Sequence, residues 1–527
     1  MHTRPASRLW LVLVLWCVLG GRPAPALAAD APAPPAVESA ETQASAAYRA
    51  EPGNAWLGRT LLDTLVHNGK LEDARRLSLE LTVLFPDDAQ LWSQTGYLLF
   101  MLRDFKGAQA AFVLALRGDA WLPDQRRNLA FAAADSAVAA NDPVGALAAL
   151  QVFAEDADWA VRLRLGRAQL AAHDRMAAAA TAQWLITHAG DDEAEATAEK
   201  LQAAALEAVA DPRGDKQLNL GYAYFRQGDD AAGLAAFERG FAFGSGKAFH
   251  YADAAYAAKR LNDNAKASRY FRFCLDLAEF EHSFTEQRMY GYRREIEGME
   301  RRWGMIIGTP YHAGALDVWQ GGIEAYWQPP VIGYRDGRMV QLFVRTYLNF
   351  RNGVNGPTGL QTTQETLGIR FKPLATQNIA LTAERLFAVG RDSDNDWLFR
   401  VGYSTGDGTD LRVDKWQWES WQVYAEAAYY LNARRLLVGT EVRYGVALPM
   451  PHLNRLTFYP HVLIAVDYDS SAQAQLVDAI GPGLSLRAWF GEDKYHAPPA
   501  WLEVNAQYRF ADADRGRGPA LRATLSF

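Results

Sequence analysis

The chain has 527 residues, with 61 acidic against 54 basic side chains and a formal net charge of −7. That length calls for more than one domain, and the acidic balance excludes the basic face of a nucleic-acid binder. Of the two cysteines, Cys17 lies in a segment that reads as removed. Cys274 is then alone, and no disulfide within the mature chain can hold the fold.

Arg4 and Arg8 precede an apolar run over residues 9–19, too short to span a bilayer, and Ala26 and Ala28 supply the small residues of a cleavage site. Residues 1–28 therefore read as a secretory signal peptide. Residues 29–53 are rich in Ala and Pro, show no periodicity, and read as a flexible lead-in. No later stretch approaches the roughly 18–20 apolar residues of a membrane helix. An exported chain of this kind is soluble in the periplasm, secreted, or a β-barrel.

Residues 54–300 are Ala- and Leu-rich with helical spacing. The residues Ala74, Ala108, Ala146, Ala178, Gly233 and Ala267 recur mostly near a 34-residue period. Trp92, Gly96, Ala108, Phe112 and Ala115 form the clearest unit. Leu61, Ala74 and Pro86 mark the first, Gly221, Tyr224 and Phe237 the fifth, and Ala255, Ala267, Phe271 and Cys274 the sixth. These units resemble tetratricopeptide (TPR) repeats, in which small residues let helices approach and an aromatic fills the hole between pairs. Residues 191–210 widen one gap and read as an extra helix. Cys274 falls on a core position and reads as a small hydrophobe.

From Trp303 the pattern changes to period two. Val340, Leu342, Val344 and Leu348 oppose Gln341, Arg345, Tyr347 and Asn349. Leu436, Val438, Val442 and Tyr444 oppose Glu441 and Arg443. Leu502, Val504, Ala506, Tyr508 and Phe510 oppose Glu503, Asn505, Gln507 and Arg509. Counting back from Phe527, the residues Leu525, Ala523, Leu521 and Pro519 share one face, and Ser526, Thr524, Arg522 and Ala520 the other. A soluble sandwich and a lipid-embedded barrel share this alternation and differ in which face is buried. The signal peptide, the terminal Phe and the many Trp and Tyr after residue 300 favour the barrel. Leu521, Ala523, Leu525 and Phe527 are the expected signal to the barrel insertion machinery. About 12 strands are expected over residues 303–527. The tight turns at residues 372–375 and 431–434 are expected on the periplasmic side, although the strand order puts the second on the opposite side.

Several short blocks in the β half are distinctive: residues 383–387, Gly390-Arg391, residues 396–400, Tyr403-Ser404, residues 406–410, residues 451–453 and residues 494–498. Together they resemble the C-terminal domain of the bacteriophage adsorption protein A (NfrA) family, over roughly residues 310–527. The resemblance implies an outer-membrane protein with periplasmic TPR repeats ahead of a barrel. It also implies pairing with an inner-membrane glycosyltransferase in exopolysaccharide export, and a possible role as a phage receptor. This chain carries fewer repeats than the longer family members, which leaves the partner surface open.

The residues themselves offer little catalytic chemistry. No phosphate-binding loop, zinc helix or paired-cysteine motif is present. Glu384, Glu426, Glu441, Asp467 and Glu503 are the candidates for a glycosidase pair, but fit better as lumenal carboxylates paired with Arg345, Arg370, Arg400, Arg443, Arg487 and Arg509. His452 and His461 lack companions at metal-ligand spacing. Asp407, Asp410 and Asp414 read as a solvated acidic turn rather than a calcium loop.

The expectation is thus an α + β multidomain protein: an N-terminal TPR-like α-solenoid, then a C-terminal antiparallel transmembrane β-barrel in the cell outer membrane, with the repeats in the periplasm. It is expected to be no enzyme and to bind no cofactor, metal or nucleic acid. The barrel is the expected polysaccharide path, lined by Glu324, Tyr326, Arg345, Tyr347, Arg400, Tyr424, Glu426, Glu441, Arg443 and Arg509. The repeats are the expected dock for a glycosyltransferase or other periplasmic partner. The alternatives are a closed barrel acting as scaffold or adhesin, and a soluble periplasmic carbohydrate-active β-domain.

Overall fold

The computed structural model describes residues 36–119, 121–153, 157–312, 318–352, 356–450 and 453–527. The segment read as a signal peptide, Cys17 and His452 lie outside them. The chain forms two compact units, divided between Asp142 and Pro143. The first holds six described helices, from Ala36–Ala50 to Pro123–Ala139; the second holds nine more, ending with Glu286–Glu300, and every strand.

The helices pair as the repeat spacing requires. Ala74, Ala108, Ala146, Ala178 and Ala267 are all fully buried. A side chain added at Gly96 would collide with the Phe112 ring, and one at Gly221 with Phe237, so glycine is what lets each helix pair close. The turn inside several pairs is built the same way. A residue in the left-handed region (Arg103, His173, Gly228, Asn262) is followed by an Asp that caps the next helix. Residues 192–206 form the extra helix.

One expectation fails in this half. Ala36–Ala50, within the segment read as flexible, is a helix, and Ala44 and Tyr48 pack against the first repeat's leucines. Alanine needs no apolar periodicity to form a helix when a neighbouring repeat offers a surface to cap.

A feature without a sequence signal is Arg175, which is 2% exposed and, among the described residues, has no carboxylate in an ion pair with it. Its guanidinium donates to the carbonyls of Ala205 (2.9 Å), Gly244 (3.3 Å) and Gly246 (2.8 Å), and to Leu206 (2.6 Å). It ties the ends of two later helices to its own, and burial holds its pKa below the usual value.

The thirteen strands form one antiparallel sheet. β1 (Trp303–His312), β2 (Val318–Trp327), β4 (Arg338–Asn352), β5 (Gln364–Lys372), β6 (Asn378–Ala388), β7 (Asp396–Asp407) and β8 (Trp418–Tyr430) make one side. β9 (Arg435–Met450), β10 (Leu453–Asp469), β11 (Leu476–Phe490), β12 (Ala500–Ala511) and β13 (Gly518–Ser526) make the other. β1 pairs with β13 and β2 with β4, which closes a ring of twelve. The two-residue β3 (Tyr334–Arg335) pairs only with β4 and stands outside the ring. Backbone bonds between Met305 and Phe527 complete the seam.

The two faces settle the choice left open by the alternation. Leu342, Val344, Val401, Val438 and Phe510 are exposed on the outside, while Glu384, Arg443 and Asn505 are buried within. An apolar exterior around a polar interior is the transmembrane arrangement, and it removes the soluble β-domain alternative. Exposed aromatics ring both ends: Trp319, Phe350, Phe387, Trp397 and Tyr429 at one, Phe371, Trp421, Tyr444, Phe490 and Phe527 at the other. Leu521 and Phe527 lie on this outer face.

Connections corrected one expectation. The turn at residues 431–434 lies at the end of the barrel away from the helices, whereas the turn at residues 373–377 lies at the helical end. The strands were placed correctly; the usual rule that short turns gather on the side of the chain termini does not hold here. The long connections 328–337, 408–417 and 491–499 all lie at the helical end, because they pack on the last helices.

Candidate functional site

All ten residues expected along the lumen project inward, and the alternation of each strand accounts for this. They form two networks. In the first, Arg345 donates to Glu324 and reaches Glu384 at 3.1 Å, while Arg370 reaches Glu324 at 3.0 Å. Arg400 Nε lies 2.9 Å from Glu384, an ion pair without hydrogen-bond alignment, and its Nη1 lies 3.3 Å from Glu426. Tyr424 donates to Glu426 at 2.6 Å, and Tyr347 lies against the Arg345 guanidinium. Several of these contacts skip a strand, as Arg345 of β4 does to Glu384 of β6, so they brace the lumen as well as fill it.

In the second network Glu441 holds Arg443 at 2.5 Å and Arg509 at 2.7 Å, although β9 and β12 are not neighbours. Arg509 also reaches Asp467 at 3.4 Å, and Glu503 pairs with Arg487 and, at 3.6 Å, with Arg443. Every carboxylate weighed as a glycosidase acid or base is thus engaged by arginine. A cavity of about 520 Å³ opens beside the first network and one of about 600 Å³ beside the second, and Tyr424 lines both. Tyr326 sits lower, at the helical mouth, where its hydroxyl accepts from Arg301 at 3.2 Å. His461 is buried inside, 3.1 Å from the Tyr459 carbonyl.

Sequence reasoning missed the helical mouth. Lumen-facing Trp418, Ala447 and Trp489 form an apolar patch with Leu411 and Ala497, and Tyr290 of the last helix packs into it. Loop 408–410 folds across the opening: Trp418 donates to the Gly408 carbonyl at 2.8 Å and Arg487 to Thr409 at 2.6 Å. Asp410, read as part of a solvated turn, instead accepts from Tyr290 at 3.2 Å and from Arg294 at 2.9 and 3.1 Å. Asp407 pairs with Arg412 at 2.8 Å.

Loop 491–499 docks beside it. Tyr495 donates to Asp276 at 2.9 Å, Lys494 pairs with Asp276 at 2.7 Å, and Arg293 donates to the Lys494 carbonyl at 3.0 Å. His496 joins Asp493 (2.8 Å) to Glu300 (2.9 Å), and Glu300 also holds Ser268 and Arg272. Burial opposes the charged imidazole, but the bonds to Glu300 and Asp493 outweigh it and hold His496 above its usual pKa. The same bonds hold both carboxylates below theirs despite burial.

A pH dependence follows. A raised imidazole contributes stability in full below about pH 6.5 and loses it as pH rises through the folded value. The depressed carboxylates contribute above about pH 4.5 and lose it as pH falls. Arg272, Arg293 and Lys494 are the other charged groups that hold the loop. Loop 491–499 is therefore held tightest between about pH 4.5 and 6.5 and loosens toward pH 8. Amide exchange at residues 493–497, corrected for intrinsic rates, checks this; protection at about pH 8 equal to that at about pH 6 contradicts it.

These features define a class: a TPR-like α-solenoid followed by a transmembrane β-barrel with a charged lumen. Residues 355–523 match the family described as "Bacteriophage N adsorption protein A C-term", the family that the short blocks resemble. Those blocks now have physical roles. Glu384 and Arg400 brace the lumen, Asp396 accepts from the Asn432 and Ala433 amides of the far turn, and Asp410, Tyr495 and His496 dock the last helices.

Among solved structures, a tetratricopeptide repeat protein from Parabacteroides merdae ATCC 43184 is 14% identical, covering 50% of this chain and 93% of that one, at a TM-score of 0.27. An outer membrane channel from Pseudomonas putida F1 is 8% identical, covering 43% of this chain and 94% of that one, also at 0.27. The architecture stands on the chain's own strand pairing rather than on these likenesses. No curated protein matches the chain in sequence.

Proposed function

We propose that the protein is an outer-membrane component of exopolysaccharide export, with the barrel as polymer path and the repeats as a periplasmic dock for an inner-membrane glycosyltransferase or another partner. The observation that carries this is a lumen of arginine–carboxylate pairs and tyrosines, with two cavities, inside an apolar exterior. Paired charges let a sugar exchange hydrogen bonds along the wall, and tyrosines offer faces for stacking. No catalytic role is proposed for the lumenal carboxylates, since arginines engage them all. The far-end loops are where a phage would adsorb.

The mouth sealed by Tyr290 and loop 408–410 supports a second reading, a closed barrel acting as scaffold or adhesin. Conductance in planar bilayers separates the two. The full chain is expected to be mostly closed, and Asp410→Ala to raise open-state occupancy. For a pair as exposed as Arg294 and Asp410 the loss is about 1 kcal/mol, roughly a fivefold shift. Blocking of that current by an added oligosaccharide supports the polymer path. A variant as silent as the parent favours the scaffold.

A further inference from the structure

We propose that the larger lumenal cavity is a binding site for the acidic groups of a glycan, centred on Arg522. This deepens the export reading and rests on it. Arg522 lies on β13, in register between Pro310 of β1 and Asn505 of β12. It is exposed to the cavity of about 600 Å³ that it lines. Arg345, Arg370, Arg400, Arg443, Arg487 and Arg509 each have a carboxylate partner. Among the described residues Arg522 has no ion pair; Glu441 and Glu503 act on it from a distance, but each is already held by two other arginines.

Among the described residues that line this cavity the charges do not balance. Arg443, Arg487, Arg509 and Arg522 face Glu441, Asp467 and Glu503, four cations to three anions. Arg517, at the rim, is matched by Asp514. In the smaller cavity Arg345, Arg370 and Arg400 face Glu324, Glu384 and Glu426, three to three. An unmatched guanidinium inside a lipid-embedded wall draws an anion, because the surroundings screen it poorly. Its planar fork fits a carboxylate or phosphate group. Gln422, Tyr424, Thr440 and Thr524 line the same cavity and supply neutral hydrogen-bonding groups for sugar hydroxyls. A free anion would need the guanidinium alone; these neighbours favour an anion carried on a sugar.

The test is calorimetric binding to the full chain in detergent, with oligogalacturonate as acidic probe, a malto-oligosaccharide of equal length as neutral probe, and inorganic phosphate as free anion. Oligogalacturonate is expected to bind tightest and to weaken with salt. Arg522→Gln is expected to lower its affinity about tenfold or more and leave the neutral probe unchanged, while Arg522→Lys retains most of the preference. A heat-modifiable band confirms that each variant is folded. Equal binding of the acidic and neutral probes, unaltered by Arg522→Gln, overturns the acidic site and leaves the polymer path standing. Phosphate binding as tightly as oligogalacturonate overturns the glycan assignment. Failure of every probe overturns the acidic site and the polymer path together.

Discussion

Glu384→Ala is expected to destabilise the barrel by about 3–5 kcal/mol, the cost of leaving buried charge uncompensated. Glu384 is 1% exposed and stands between Arg345 and Arg400. Both guanidiniums lose a partner when it goes. Arg345 keeps Glu324 and Arg400 keeps Glu426, which is why the expected cost stays at that of a single broken pair. Glu384→Gln preserves shape but not charge and should fall between the two. The readout is the urea midpoint for loss of the compact, heat-modifiable band. A shift for Glu384→Ala worth less than about 1 kcal/mol would place the pair with those solvent-screened bridges that contribute little.

Arg175→Met should cost the repeat half a comparable amount, about 3–5 kcal/mol. The methionine fills much of the space but donates nothing, so four carbonyl bonds are lost at once. Those carbonyls belong to Ala205, Leu206, Gly244 and Gly246. Because repeat arrays are stabilised by nearest-neighbour contacts, the loss should appear as separate unfolding of the segments on either side of the extra helix. Limited proteolysis near residues 207–211 is the direct check. If the variant unfolds in one transition at the parental temperature, water has replaced the arginine and its structural role is small.

Much of this architecture is legible in the sequence, and the reasons are physical. Small residues recurring near every 34 positions must pack helices, and Ala74 through Ala267 do so. Strict alternation at Leu502 through Phe510 assigns every side chain of β12 to one of two faces, so Glu503 and Arg509 could be placed in the lumen from spacing alone. What alternation does not carry is pairing between strands that are not neighbours. Nothing near Glu441 in sequence points to Arg509. Nor does any local pattern show that Asp410 meets a helix 116 residues earlier. Arg175 is the extreme case, since its partners are backbone carbonyls and any residue could supply those. The helix at Ala36–Ala50 is hidden for the opposite reason: it has no apolar periodicity to show, and its alanine content alone suffices.

The docking of the last helix carries a consequence for the order of assembly. Glu286–Glu300 is made before any strand, yet its partners in loops 408–417 and 491–499 come from the middle and end of the barrel. A chain whose repeats have folded but whose barrel is unfinished presents Tyr290 and Arg294 with nothing to hold. Closing the β1–β13 seam brings the last loop into place beside the helix, so the helical end of the barrel records whether the ring of strands has been completed.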